Sequence, residues 1–200
     1  MPDWLIAIDT RLFLQLNVGS ANEFFDWLMP IVTSITYIRY AVAAALIPLV
    51  VFGGGKGRSA VLIAIVLVAI TDQTASYLLK PLVGRPRPCH DVEGARILTR
   101  CGRTLSFPSG HATSTMAAAL FFGLLYRRWL WTLIGVSVLV SYSRVYVGVH
   151  YPFDLLGGWV YGGLCGLGMI SLYRRHLRVL LARWRVFADS PSAPGRVGDR

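Results

Sequence analysis

Charged side chains are scarce in this 200-residue chain, at 15% of positions, and they are gathered into a few clusters. What lies between them has no polar face: Ala60–Ile70 and Ala117–Tyr126 are apolar all round. That excludes a soluble helical core, whose surface helices carry a polar stripe at the 3.6-residue period. Hydrophobic residues make up 54% and the mean hydropathy is +0.54, as expected for helices solvated by lipid. Acidic residues are half as many as basic ones, ten against twenty, for a formal charge of +10. In an integral membrane protein such an excess marks anionic lipid and orientation signals rather than a nucleic-acid partner. There are three cysteines and no C-x-x-C, which argues against a cysteine-held metal. Cys165 reads as a small packing residue. Cys89 and Cys101 share one polar loop and can pair if it faces an oxidising space. No cleavable leader is evident, because Asp9 and Arg11 interrupt the first apolar run.

The apolar runs that are present predict an all-α integral membrane bundle of five or six transmembrane helices with an N-terminal interfacial helix. Residues 4–18 form an amphipathic stretch too polar to span, Asn17–Asn22 a turn, and 23–36 a short segment that either lies in the interface or crosses tilted. Five runs near the crossing length of about 20 residues follow, at 38–53, 59–80, 107–126, 129–147 and 153–173. The domain is read as 1–188, with 1–37 as the N-terminal helices and 174–188 as a basic amphipathic helix. The Pro/Gly/Ser-rich tail 189–200 reads as disordered. Alternating spans put Lys56, Arg58, Arg127, Arg128 and the basic stretch on one side, which the positive-inside rule makes cytoplasmic. The 81–106 loop and the 148–152 turn then face outward, although that loop carries Arg85, Arg87, Arg96, Arg100 and Arg103.

Three polar clusters converge on the outward side: K-P-L-V-G-R-P-R-P from Lys80, S-F-P-S-G-H-A from Ser106, and S-R-V-Y-V-G-V-H-Y-P-F-D from Ser143. Charge at membrane depth is costly and is retained for function or pairing. Lys80, Arg87 and Arg144 offer fixed positive charge and several donors for the oxygens of a phosphoryl group. Ser109 and the N–H groups near Gly110 and His111 form an anion cradle at a helix start. His150 and Asp154, four apart, face the same way on a helical turn. A carboxylate on one ring nitrogen leaves the other free as a nucleophile, and His111 can protonate the leaving oxygen. The set is a phosphoryl-transfer site that needs neither metal nor cofactor.

With every spacing held, these residues carry the signature K-x6-R-P, P-S-G-H, S-R-x5-H-x3-D. On it the chain resembles the type 2 phosphatidic acid phosphatase (PAP2) superfamily. The resemblance implies an integral-membrane phosphatase that forms a phosphohistidine and hydrolyses it with water. His150 would be the nucleophile, Asp154 its orienter and His111 the general acid, with Lys80, Arg87, Ser109, Gly110 and Arg144 on the phosphate. The compact size and the N-E-F-F-D-W-L-M-P-I-V-T stretch resemble bacterial members of the undecaprenyl-diphosphatase-like group. That implies an inner-membrane enzyme with its site toward the periplasm and a phosphorylated lipid as partner. Phosphatidylglycerophosphate, phosphatidate and lipid A remain as alternative substrates. A lipid phosphotransferase and a non-catalytic lipid-binding or transport protein remain as alternative functions, though the complete residue set argues against the last.

Two residues outside the signature are accessory candidates. Arg85 lies between Lys80 and Arg87 and either contacts phosphate or is exposed to solvent or headgroups. Asp72 shares a helix face with Ser76 and Lys80, and should face the bundle and find a partner beneath the site. His90 and His176 read as surface residues. The Gly158, Gly162, Gly166 ridge reads as close packing in the bundle rather than a dimer seam.

Overall fold

The computed structural model describes residues 2–177, and among these there is no strand. In chain order the helices are α1 (Asp3–Leu14), α2 (Glu23–Thr33), α3 (Ile35–Val51), α4 (Gly54–Thr74), the short α5 (Lys80–Val83) and α6 (Pro88–Asp91), α7 (Gly110–Leu125), α8 (Leu130–Tyr146) and α9 (Pro152–Leu172). Single π-turns follow α1, α4 and α9 at Gln15–Gly19, Ala75–Leu79 and Tyr173–Leu177. Most of the basic stretch 174–188 and all of the tail 189–200 lie outside the described residues.

Among the described residues, two helical segments are long and apolar enough for a full crossing, Gly54–Asp91 and Pro152–Arg175. A third is α2 with α3 if that pair, bent by 65° at Ser34, is one span. By length and composition alone, the described residues do not confirm the five or six expected. The polar site turns cut into the apolar runs, leaving α7 with 16 residues and α8 with 17, about 24–26 Å at 1.5 Å per residue.

The outer surface is apolar where a soluble protein would be polar. On α1, Asp9 and Phe13, one turn apart, are fully buried, while Trp4, Ile6, Ile8 and Leu12 are exposed. The same holds for Ile65, Val66 and Ile70 on α4 and Val160, Leu164 and Leu167 on α9. A helix that hides a carboxylate and shows tryptophan is solvated by lipid.

The bundle is built around α7, which packs on α9, α8 and α4. Its seam with α9 is the glycine ridge, set against α7 backbone: a Cβ at Gly158 would lie 2.9 Å from the Ser109 carbonyl oxygen, and one at Gly166 2.6 Å from that of Ala117. Ala60, Ile63, Ala64, Leu67, Ala117, Phe121 and Ile170 fill the half of the core away from the site. There the Lys56 ammonium sits over the Tyr126 ring, and Arg174 donates to the Leu124 carbonyl. All three polar clusters fall at the other end.

Over that end lie α1, α2 and the loop 92–105. The Asn17 side chain donates to the Arg96 and Tyr146 carbonyls, at 2.9 and 2.7 Å, and accepts from the Arg96 N–H at 2.7 Å. Arg96 pairs with Asp26 at 2.5 Å. Cys89 and Cys101, whose pairing the sequence leaves open, are joined by a disulfide that closes this loop. The turn from α8 to α9 passes beneath it at Gly148, whose φ of 87° and contact with the Arg96 carbonyl both require glycine.

The ridge makes a direct prediction. An added Cβ at Gly162 would overlap the Thr113 carbonyl oxygen, so Gly162→Ala should cost about 1–3 kcal/mol of stability by overpacking. The check is a clear fall in the thermal midpoint in detergent micelles, with Gly135→Ala inside α8, where a Cβ meets nothing within 4 Å, as the control that does not lower it.

Candidate active site

The three clusters meet at one end of α4, α7, α8 and α9. His150 lies in the turn before α9 and is 2% exposed. Its Nδ1 is 3.2 Å from Asp154 Oδ2, and its Nε2 is 3.3 Å from an Arg87 guanidinium nitrogen. A guanidinium can only donate, so Nε2 is the acceptor and the ring proton sits on Nδ1, facing the carboxylate. The lone pair a nucleophile needs is on Nε2, beside a cation. Burial pushes the His150 pKa down to about 3, with Asp154 pulling the other way, so the resting ring is neutral.

Asp154 is fully buried in the first turn of α9. Its Oδ2 accepts from the Tyr151 N–H at 2.9 Å, half of a capping box, and from the Ser106 hydroxyl. Its Oδ1 takes an Arg85 nitrogen at 3.1 Å. Capping and orienting His150 are compatible because different lone pairs serve them.

In front of His150 stand three cations with no carboxylate of their own. Lys80 is 6% exposed and donates to the Leu105 carbonyl at 2.7 Å. Arg87 is tied to Thr104 through its carbonyl at 2.7 Å and its hydroxyl at 2.9 Å, and donates to the Val149 carbonyl at 3.2 Å. Arg144 donates to the Thr33 hydroxyl of α2, and its Nε is buried without a partner. All three act electrostatically on His111 in the first turn of α7. Ser109, the N-cap of α7, is fully buried with its hydroxyl unpartnered, while its N–H donates to the Asp154 carbonyl at 3.0 Å. Uncompensated cations with an orphaned hydroxyl and guanidinium nitrogen are what a multiply charged oxyanion would satisfy.

The structure therefore brings Lys80, Arg87, Ser109, Gly110, His111, Arg144, His150 and Asp154 to one end of the bundle. The two accessory candidates lie outside that set, one behind it and one beside it. Arg85 is neither exposed nor aimed at the cradle. It lies behind Asp154, 2.7 Å from Asp9 Oδ2 and 3.8 Å above the Tyr151 ring centre. Asp72 is exposed and unpaired among the described residues, although a Cβ at Gly110 would lie 3.5 Å from its Oδ1. The all-round apolar pattern of α4 shows no preferred face, so periodicity did not place Asp72. Sequence reasoning gave no role to Asp9, Thr33, Thr104 or the Ser106 hydroxyl. Only Ser106 had a signal, its place at the head of the second cluster. His90 is exposed and lies beside the cysteines, 3.1 Å from Cys101 Sγ. The sulfurs are bonded to each other, so this group offers no thiolate to a metal.

The sequence profile of the PAP2 superfamily matches residues 60–178. The chain belongs to the PAP2 superfamily. It is 34% identical over 174 residues to a lipid A 4'-phosphatase of Bacteroides thetaiotaomicron, covering 83% of this chain and 77% of that protein. It is 31% identical over 147 residues to undecaprenyl-diphosphatase BcrC of Bacillus subtilis, covering 72% and 73%. The crystal structure of the transmembrane PAP2-type phosphatidylglycerolphosphate phosphatase from Bacillus subtilis superposes with a TM-score of 0.67 at 21% identity, over 88% of this chain and 89% of that one. The fold of this PAP2 chain is thus that of a membrane-embedded phosphatase.

The depressed His150 pKa makes a prediction for stability. In the unfolded chain a histidine titrates near 6.5, so between about pH 6.5 and 3 the unfolded state binds the extra proton and stability rises with pH. Lowering the pH from 7.5 to 5 should therefore reduce the thermal midpoint in detergent. His150→Gln, which cannot titrate, should show a smaller fall; an equal fall would remove His150 as its source.

Proposed function

We propose that this PAP2 protein is a bacterial membrane lipid phosphatase that works through a phosphohistidine on His150 without a metal ion. One observation carries the reading: the Nε2 lone pair of a buried, neutral imidazole points to the Arg87 guanidinium, with the orphaned Arg144 Nε and Ser109 hydroxyl in the same site. Lys80, Arg87, Arg144, Ser109 and the Gly110 and His111 N–H groups hold the phosphoryl oxygens and spread its charge. His150 Nε2 attacks phosphorus, forming the N–P bond as the bond to the leaving oxygen breaks. His111 gives that oxygen its proton. The ring then carries a positive charge, held by Asp154 at Nδ1. Water attacks the phosphohistidine, His111 takes the water's proton, and the N–P bond breaks to release phosphate.

The lipid-facing surface around the site favours a substrate whose tails stay in the bilayer. Five or six crossings are proposed, with the short α7 and α8 spanning locally thinned lipid. The basic end at Lys56, Arg58, Arg127 and Arg128 is assigned to the cytoplasm, so the site faces the periplasm. A disulfide in the loop over the site agrees with that assignment. Undecaprenyl diphosphate is the leading substrate. Lipid A is the second reading, favoured by the 34% identical relative.

The test is phosphate release by the purified chain in detergent with a chelator present, on undecaprenyl diphosphate, lipid A, phosphatidylglycerophosphate and phosphatidate. The expected result is metal-independent release, highest kcat/KM on undecaprenyl diphosphate, and loss of at least about 10³-fold in kcat for His150→Ala. Activity that returns only with a divalent metal would contradict the mechanism, and preference for lipid A would transfer the substrate assignment to the second reading.

A further inference from the structure

Behind the nucleophile lies an ion-pair cluster that the phosphatase reading leaves unexplained. Asp9 belongs to α1, outside the residues 60–178 that match the family. It is fully buried on a helix whose other face is exposed tryptophan and isoleucine. A buried carboxylate on a lipid-facing helix is costly and persists where it is paired for a purpose. Asp9 Oδ1 accepts from the Phe153 N–H at 2.9 Å, in the first turn of α9. Its Oδ2 lies 2.7 Å from Arg85 Nη1, and the same nitrogen is 3.1 Å from Asp154 Oδ1. The guanidinium is pinned over the Tyr151 ring, next in sequence to His150. One nitrogen thus bridges two buried carboxylates, and the second of them holds His150 Nδ1.

The charges give this arrangement a consequence. With Asp9 ionised against Arg85, whose charge opposes the rise that burial imposes on the Asp9 pKa, two carboxylates and one guanidinium leave one negative charge in excess beside a neutral His150. Phosphorylation of Nε2 leaves the ring cationic, and the cluster becomes neutral at the moment the intermediate forms. Without the Asp9 charge, the Asp154–Arg85 pair is already balanced, and the new cation is uncompensated in a buried site.

We propose that Asp9 and Arg85 are positioning residues for the nucleophile: they hold Asp154 against His150 and supply the charge that balances the phosphohistidine. The N-terminal helix is then part of the catalytic unit rather than only a membrane anchor. This rests on the phosphohistidine reading above, and its test is arranged so that the two fail separately.

The experiment uses the full chain in detergent micelles and whichever of the four lipids the unaltered chain turns over fastest. Asp9→Asn keeps the shape and the acceptor for the Phe153 N–H but removes the charge. Its kcat should fall on the order of tenfold or more with KM within about threefold, because the phosphate-holding groups are untouched. Arg85→Gln should also slow turnover, and the Asp9→Asn/Arg85→Gln pair should lose less than the sum of the single effects in ΔΔG‡, the mark of one unit. A structural role alone would lower the amount of folded protein and leave kcat per folded chain intact, which would overturn the proposal. So would unchanged kcat in Asp9→Asn. If Asp9→Asn does not fold, Asp9→Glu carries the test: the longer arm displaces Arg85, so a lower kcat at constant KM supports the proposal and an unchanged kcat overturns it. Inactive His150→Ala beside fully active Asp9→Asn would refute this proposal alone, whereas active His150→Ala would refute the phosphohistidine reading itself.

Discussion

The Asp154 carboxylate, with no exposed surface, is shared by His150, Ser106, Arg85 and the Tyr151 backbone. Those partners come from the α8–α9 turn, the two ends of the 81–106 loop and the helix start that Asp154 itself caps. Through Arg85 the contact extends to α1. An ionised group so deep is tolerable only when every lone pair has a partner, so each of these segments must be in place for the charge to be stable. The glycine ridge of α9 serves the same end. By letting α7 lie backbone to backbone, it brings Ser109 within reach of the Asp154 carbonyl.

Satisfaction is unequal on the two sides of His150. Behind it, toward Asp154, Ser106 and Arg85, charges are paired and one more negative than positive. In front, Lys80, Arg87 and Arg144 are anchored by neutral oxygens of Leu105, Thr104, Val149 and Thr33, which hold them without cancelling their charge. Anchoring cations on carbonyls and hydroxyls rather than carboxylates keeps the site positive while giving each arm one geometry. That polarity, negative behind and positive in front, draws an anionic group to Nε2 and favours positive charge on the ring once it has bonded.

Much of this was legible in the sequence where residue type and spacing report a direct constraint. Apolar runs reveal lipid-solvated helices, the glycines at 158, 162 and 166 report a backbone contact, and His150 with Asp154 one turn on reports a shared face. Partnerships between distant segments were not legible. Asp9 read only as an interruption of an apolar run, and Arg85 as either a phosphate contact or an exposed cation, because nothing local shows that they meet. The same applies to Thr33 beneath Arg144. Asp72 was expected to face the bundle on the general cost of a charge in lipid; near the end of α4, beside the cradle, it is exposed instead. Helix length and composition leave the expected number of full crossings unconfirmed for a related reason. Runs that include site residues look long in sequence, while the turns that present those residues end the helices early.

The central claim is that a covalent bond forms between phosphorus and His150 Nε2. Rapid quench of the purified chain with a ³²P-labelled lipid substrate tests it most directly. The account predicts label on the protein within the first turnover, up to one per chain, stable in alkali and lost in acid as for a phosphoramidate, and absent in His150→Ala. Absence of labelled protein under conditions where phosphate is released, or label that persists in His150→Ala, would contradict it.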